Sequence, residues 1–275
     1  MGFREEVSGK AGVLYVQVCT FAKFIGCTIF RCPGTDRRGM VPSCSCAQRG
    51  VCKNAVLHMK TIAIAMQKGG VGKSTLAKAL GVAGARAGLN VLVLDMDSQQ
   101  STTQWAERRK DALPVVRFAT EIDLPKLLSQ AEEAGCDLVV IDTPPARSTE
   151  APAAVEFCDL VLVPCAPDIE AYEQLPRTAR LARTSDKPAA AVLTMAQPNS
   201  RAEEDIARQV FETVKLPMVP AVIHRFKVHR DASREGVTAC ELEPEGKAAA
   251  ELHALWNWVS AELQLNTSAT VHKRA

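Results

Sequence analysis

With 275 residues, 47% of them apolar and 23% charged, the chain has the make-up of an ordinary globular protein. It is long enough to bury a substantial core in one large domain or two small ones. A net charge of only +2 excludes a chain whose overall charge alone would name its partner.

The charge is unevenly placed. Residues 1–58 carry eight Lys/Arg and three Asp/Glu, a net of +5, whereas the remainder carries 25 against 28, a net of −3. The same opening segment holds Cys19, Cys27, Cys32, Cys44, Cys46 and Cys52. CSCAQRGVC spaces its cysteines as C-x-C and C-x5-C, with no C-x2-C pair or histidine cluster, which is a poor zinc pattern. The apolar run from Ala11 to Phe30 is broken by Gln17, Lys23 and two threonines, and no small-residue cleavage site follows it. Lacking periodicity and differing in composition from all that follows, residues 1–58 read as a non-native or disordered extension. The native start is then Met59, with Met40 a second possible start.

From Met59 onward, apolar runs of strand length alternate with amphipathic stretches. The runs are TIAIAM (61–66), NVLVLDMD (90–97), DLVVIDTP (137–144), DLVLVPCAP (159–167), AAAVLTMA (189–196) and MVPAVI (218–223), with a weaker one at PVVRFAT (114–120). Runs apolar on both faces suit central strands of a parallel sheet covered by helices. Between them, residues 73–88, 123–135 and 200–214 have helical patterning. No linker or repeat interrupts the alternation, which predicts one α/β domain over 59–275: a mostly parallel sheet flanked by helices on both faces. Cys136, Cys158 and Cys165 lie at strand edges and read as small core residues rather than ligands.

The first run leads into QKGGVGKST and then a helix, the setting of a phosphate-binding loop. Gly69, Gly70 and Gly72, with Val71 among them, let the backbone wrap phosphate oxygens with its N–H groups inward. The helix starting near Lys73 adds its positive N-terminal end. Lys73 is placed for the β/γ-phosphates, Ser74 for Mg²⁺ and Thr75 for the α-phosphate. The loop departs from G-x-x-x-x-G-K-[ST]: Gln67 stands in place of the first glycine, and an additional lysine, Lys68, follows it. Asp95 and Asp97 end one strand run and Asp142 another, at the edge where open parallel sheets bind ligands. A carboxylate there needs a cation, water or donor. Asp142 therefore reads as the Mg²⁺-side carboxylate, Asp95 as an indirect contributor to the metal, and Asp97 as the group orienting the attacking water.

QKGGVGKST, VLVLDMDSQQSTTQW and VVIDTPP resemble, in order and spacing, the three signature blocks of the ParA/MinD group of deviant Walker A P-loop ATPases. DMDSQQSTTQW is similar to the D-x-D-P-Q-x-x-x-T version of ParA partition ATPases, with Ser98 replacing proline; Met66 departs from the asparagine often found there. The resemblance covers essentially all of 59–275. It implies ATP as substrate, Mg²⁺ as cofactor, slow intrinsic hydrolysis and an ATP-dependent sandwich homodimer in which Lys68 reaches across to the partner's phosphates.

The cargo depends on the last third of the chain. VIHRFKVHRDASREG (222–236) gathers Arg225, Lys227, Arg230 and Arg234, diluted by Asp231 and Glu235. It reads as either a phosphate-contacting patch or a solvated basic face, without a recognition helix or base-stacking pattern. Near the end, Leu252, Leu255, Trp256, Val259 and Leu263 fall at helical spacing, and no Lys or Arg follows Lys247 in that helix. That suits packing on the protein body rather than on anionic lipid, so a membrane partner is not expected. Trp258 falls off the stripe and is expected to be exposed, and NTSATVHKRA reads as a frayed tail. The resemblance puts first a cytoplasmic, nucleoid-associated ATPase that binds duplex DNA non-specifically. A ParB-like centromere-binding protein then stimulates hydrolysis and moves a plasmid or chromosome. The alternative is a MinD-like or ParA-like positioning ATPase acting on a protein cargo or membrane. A metabolic enzyme of related fold is the third reading, but no substrate constellation beyond the nucleotide is visible.

Overall fold

The computed structural model describes residues 58–145 and 149–265; apart from His58, the expected extension 1–58 lies outside them, as does the NTSATVHKRA tail. Among the described residues, seven strands form one parallel sheet: β1 (Lys60–Ile64), β2 (Val91–Asp95), β3 (Val115–Phe118), β4 (Leu138–Asp142), β5 (Leu160–Cys165), β6 (Ala189–Ala196) and β7 (Ile223–His224). Their order is β3-β2-β4-β1-β5-β6-β7, so β1 is central and the chain winds outward in both directions from it. The register sets Asp95 of β2 beside Asp142 of β4, and Asp142 beside Ile64 of β1. The three signature blocks thus meet at one edge.

Each apolar run feeds both faces. Ile62 and Ile64 of β1 join one core, Ala63 and Ala65 the other; β2 divides likewise, with Val91 and Val93 opposite Leu92 and Leu94. The first face is covered by α1 (Lys73–Arg86), α7 (Lys227–Arg234), α8 (Ala239–Leu242) and α9 (Lys247–Glu262), the second by α3 (Leu124–Glu133), α4 (Glu150–Glu156), α5 (Ile169–Thr184) and α6 (Arg201–Thr213). Helix α2 (Ser101–Glu107) sits beyond β2 with Trp105 fully buried. Gly81 lets α1 lie close on the sheet, since a Cβ there would come within 2.7 Å of Val93 Cγ2. Parallel strands with helices on both faces match the expectation from the runs.

Two local expectations change. The run 218–223 is not a continuous strand: Met218 forms a single bridge to Ala191, and pairing resumes only at Ile223. Pro217 and Pro220 bring no N–H to a ladder, which confines this segment to an interrupted sheet edge. Trp258 is half-buried against the core instead of exposed. Leu252, Leu255, Trp256, Val259 and Leu263 are all buried, so α9 packs on the body as its stripe predicts. Cys136, Cys158, Cys165 and Cys240 are buried free thiols, and burial pushes Cys136 up to about 12. Among the described residues, no helix is long and apolar enough to cross a membrane.

Candidate nucleotide site

The loop after β1 takes its shape from glycine. Gly70 and Gly72 adopt φ 76° and 90°, in the left-handed region, and Gly72 is the N-cap of α1. Gly69 and Gly70 are exposed, Val71 is buried, and Ser74 and Thr75 are half-buried on the first turn of α1. The Thr194 hydroxyl of β6 donates to Val71 O at 2.8 Å, tying the loop to the next strand but one. Beyond Thr194 the strand bulges at Met195, a non-glycine residue at φ 57°.

Lys73 is buried and its Nζ donates to Met66 O and Lys68 O, both at 3.0 Å. Burial pushes its ammonium below the usual lysine range, while Asp142 and Asp97 pull the other way. The lysine is thus curled under its own loop, partly desolvated and braced by two carbonyls. Lys68 points elsewhere, its ammonium 3.5 Å from Glu170 and 4.0 Å from Asp168 at the start of α5. Asp168 is also the N-cap of α5, accepting from the Ala171 N–H at 2.7 Å.

The three aspartates are used differently. Asp95 is fully buried, and its Oδ2 accepts from the Thr102 and Thr103 N–H groups at 3.0 and 2.8 Å and from the Thr103 hydroxyl at 3.0 Å. Its lone pairs thus serve the start of α2. Asp97 is half-buried; its N–H donates to Asp95 Oδ1 at 3.2 Å and its own Oδ1 accepts from the Gln99 N–H at 3.0 Å. Asp142 is fully buried, with Oδ2 accepting from the Thr102 hydroxyl at 2.8 Å and Oδ1 without a hydrogen-bond partner among the described residues. Burial pushes its carboxyl up to about 6, with Asp95 adding to the rise and the Thr102 hydroxyl, the adjacent Ser74 hydroxyl and the Lys78 ammonium opposing it. Next to it, the Ser101 hydroxyl donates to Ser74 Oγ at 3.1 Å.

Beside the loop opens a cavity of about 910 Å³, lined by Gly72, Thr75, Met195, Phe226 and α7. The basic segment forms this wall: Arg225 precedes α7, and Lys227, Arg230 and Arg234 project from it. All three helix cations surround Asp231, at 3.3, 3.9 and 3.7 Å. Three of the four candidate cations therefore share a helix, which the sequence did not reveal, and the patch borders the phosphate loop. The end of α7 is tied to the floor of the site, formed by the buried ends of β2 and β4, through α2 and the residues just after it. Trp105 donates from Nε1 to Val237 O at 3.0 Å and lies under Arg109 and Lys78, whose charges sit 5.0 and 5.9 Å from its ring. Arg109 forks onto Glu241 of α8 at 2.6 and 3.0 Å.

Sequence reasoning missed Ser101, Thr102, Thr194, Asp168 and Lys78. Three of these carry a readable signal. Ser101 and Thr102 come four and five residues after Asp97 at the acidic strand end, and Thr194 is a polar residue at the ligand-side end of an apolar strand. Lys78 is buried on α1 and carries no such signal.

The family described as CobQ/CobB/MinD/ParA nucleotide binding domain matches residues 62–238. A relative from Gloeobacter kilaueensis, "Maintenance of carboxysome distribution protein A", is 35% identical over 211 residues, covering 75% of this chain and 94% of the relative. "Chromosome partitioning protein ParA" of Caulobacter vibrioides is 30% identical over 216 residues, covering 61% of this chain and 81% of the relative. The solved structure of the septum site-determining protein MinD with Mg-ADP from Pyrococcus horikoshii shares the fold with a TM-score of 0.59, at 20% identity over 73% of this chain and 96% of that one. By these matches and the loop, strand-end and sheet geometry that accompanies them, the chain belongs to the CobQ/CobB/MinD/ParA nucleotide-binding family and, within it, to the ParA/MinD group of deviant Walker A P-loop ATPases.

Proposed function

We propose that the chain is an ATP-driven positioning switch that distributes a protein cargo, pairing with a second copy of itself when loaded with Mg-ATP. The observation that carries the cargo class is the 35% identity extending over 94% of a carboxysome-distribution relative. DNA partition with a ParB-like partner, the first reading from the sequence, becomes the second. It is supported by the chromosome-partitioning relative at 30% identity. In that reading the exposed sides of Arg225, Lys227, Arg230 and Arg234 would touch phosphates of duplex DNA without reading sequence.

The site residues take the following roles. The N–H groups of Gly69 to Gly72 cradle the phosphates, with Thr75 at the α-phosphate, and Lys73 exchanges its two carbonyls for β/γ-phosphate oxygens. The nucleoside occupies the cavity between Gly72 and α7. Ser74 and Asp142 fit a hard divalent cation, because Asp142 Oδ1 is a buried carboxylate oxygen with no partner among the described residues. Mg²⁺ held there supplies charge neutralisation on the phosphoryl oxygens. Asp97, half-buried beside Asp95, orients the attacking water. Lys68 leaves Asp168 and Glu170 and reaches the partner's phosphates.

Two experiments test this. Light scattering with ATP is expected to show a dimer for the wild type and a monomer for Lys68→Ala, with ATP still bound; a normal dimer in Lys68→Ala removes the cross-subunit role. In cells carrying the gene, its deletion is expected to misplace a protein assembly and leave plasmid and chromosome inheritance at wild-type frequency. Lost inheritance with assemblies in place would instead support DNA partition.

A further inference from the structure

We propose that Thr102 is the positioning residue of the metal site, aiming the free oxygen of Asp142 before any cation arrives. The inference rests on the reading of Asp142 as the Mg²⁺-side carboxylate and adds a residue outside the signature pattern.

The geometry is a short relay. Asp95 Oδ2 accepts from consecutive N–H groups of Thr102 and Thr103, which fixes the first turn of α2 against the end of β2. Thr102 is thereby held fully buried with its hydroxyl 2.8 Å from Asp142 Oδ2. Full burial, with the backbone of this turn anchored on Asp95, leaves the hydroxyl little room to turn and makes it a fixed reference point. With Oδ2 spent on Thr102, the carboxylate cannot turn without losing a buried hydrogen bond, and Oδ1 is the atom left without a partner among the described residues. The preceding residue does the same for the other ligand, as the Ser101 hydroxyl donates to Ser74 Oγ at 3.1 Å. Two consecutive side chains of α2 thus orient both oxygens that the cation needs. Asp95 gains a physical role by the same route, acting on the metal site through α2 and not by contact. Hydrogen-bond partners that orient ligating carboxylates contribute strongly to metal affinity elsewhere.

The test uses the full chain and a methylanthraniloyl-labelled ADP, with Mg²⁺ titrated from an EDTA-buffered start. Thr102→Val is expected to raise the half-saturating Mg²⁺ concentration by roughly 10–100-fold, while Thr102→Ser stays within about twofold of wild type. Nucleotide affinity in EDTA should be unchanged in both, which a merely loosened fold would not give. Asp142→Asn is run alongside as the reference. If Asp142→Asn shifts the Mg²⁺ midpoint and Thr102→Val does not, the positioning role is overturned. If Asp142→Asn does not shift it either, the metal reading of Asp142 falls, and the proposal with it. Should Thr102→Val fail to fold, Thr102→Ala replaces it with the same expectations.

Discussion

The floor and the rim of the nucleotide site are built on opposite principles. On the floor, Lys73, Asp95, Thr102 and Asp142 are all buried, and nearly every polar atom has a named partner. On the rim, the side chains of Lys227, Arg230 and Arg234 are 66–76% exposed around one shared aspartate. Burying a charge costs several kcal/mol unless geometry compensates, so a floor group leaves its present partners only for others as good. Exposed pairs contribute about 0–1 kcal/mol each, so the rim can re-form around whatever enters the cavity. Rigidity is placed where phosphate and metal chemistry needs it, and adaptability where a ligand must pass.

The clasp between the two regions is the place to break this comparison most forcefully. Arg109 and Glu241 have side chains 4% and 7% exposed and meet at 2.6 Å. Arg109→Leu strips the buried Glu241 of its forked partner, leaving Arg86 at 3.9 Å and the Thr238 hydrogen bonds, and is expected to cost about 3 kcal/mol in urea unfolding at neutral pH. Burial alone would raise the Glu241 carboxyl, but Arg109 and Thr238 outweigh it and hold it below the usual range. A depressed carboxyl contributes stability that is lost as pH falls through its folded value. The difference between wild type and Arg109→Leu should therefore shrink below about pH 4. An unchanged difference there would mean that Glu241 is not the source.

Next in size is Lys73→Ala. Losing two charge-assisted hydrogen bonds to phosphate is expected to weaken nucleotide binding by about a hundredfold or more in a fluorescence titration. Asp142→Asn sharpens the floor's side of the contrast in the opposite direction. The Asp142 carboxyl is pushed up to about 6, above the unfolded value of about 3.9, so the wild type loses stability as pH rises between the two. Without nucleotide or metal, Asp142→Asn is expected to be more stable by on the order of 2–3 kcal/mol at pH 7, and equal to wild type below about pH 4. The smallest effect belongs to the rim. Arg230→Ala should change unfolding free energy by less than about 0.5 kcal/mol, and a larger loss would show the rim to be as fixed as the floor.

The same contrast explains what the sequence could reveal. QKGGVGKST and the acidic strand ends are legible because a phosphate loop needs particular residues at fixed spacing, and continuous apolar runs mark buried parallel strands. The weak run at 114–120 forms β3 because β2 lies beside it, and the run at 218–223 fails as a strand because Pro220 within it and Pro217 just before it bring no N–H. Lys78 is invisible for another reason, and Thr102, though legible as a polar residue after the acidic strand end, does not reveal which carboxylate it meets. Their roles depend on which strands lie side by side, and β2 meets β4 only after the sheet has wound out from β1. The basic segment is legible as charge but not as a cavity wall, since that requires α7 to come back against the loop after β1.

The parking place of Lys68 changes what pairing means for this molecule. Its ammonium already has two carboxylates within 4.0 Å in a lone subunit, those of Asp168 and Glu170. Under the proposed cross-subunit role, joining two copies swaps one set of anions for another, and what Lys68 adds to the pairing is the surplus of phosphate over carboxylate. An exchange of that kind is shallow and reversible, and it vanishes when the outermost phosphate leaves. A device that must let go at the end of every cycle is served by a bond of that sort.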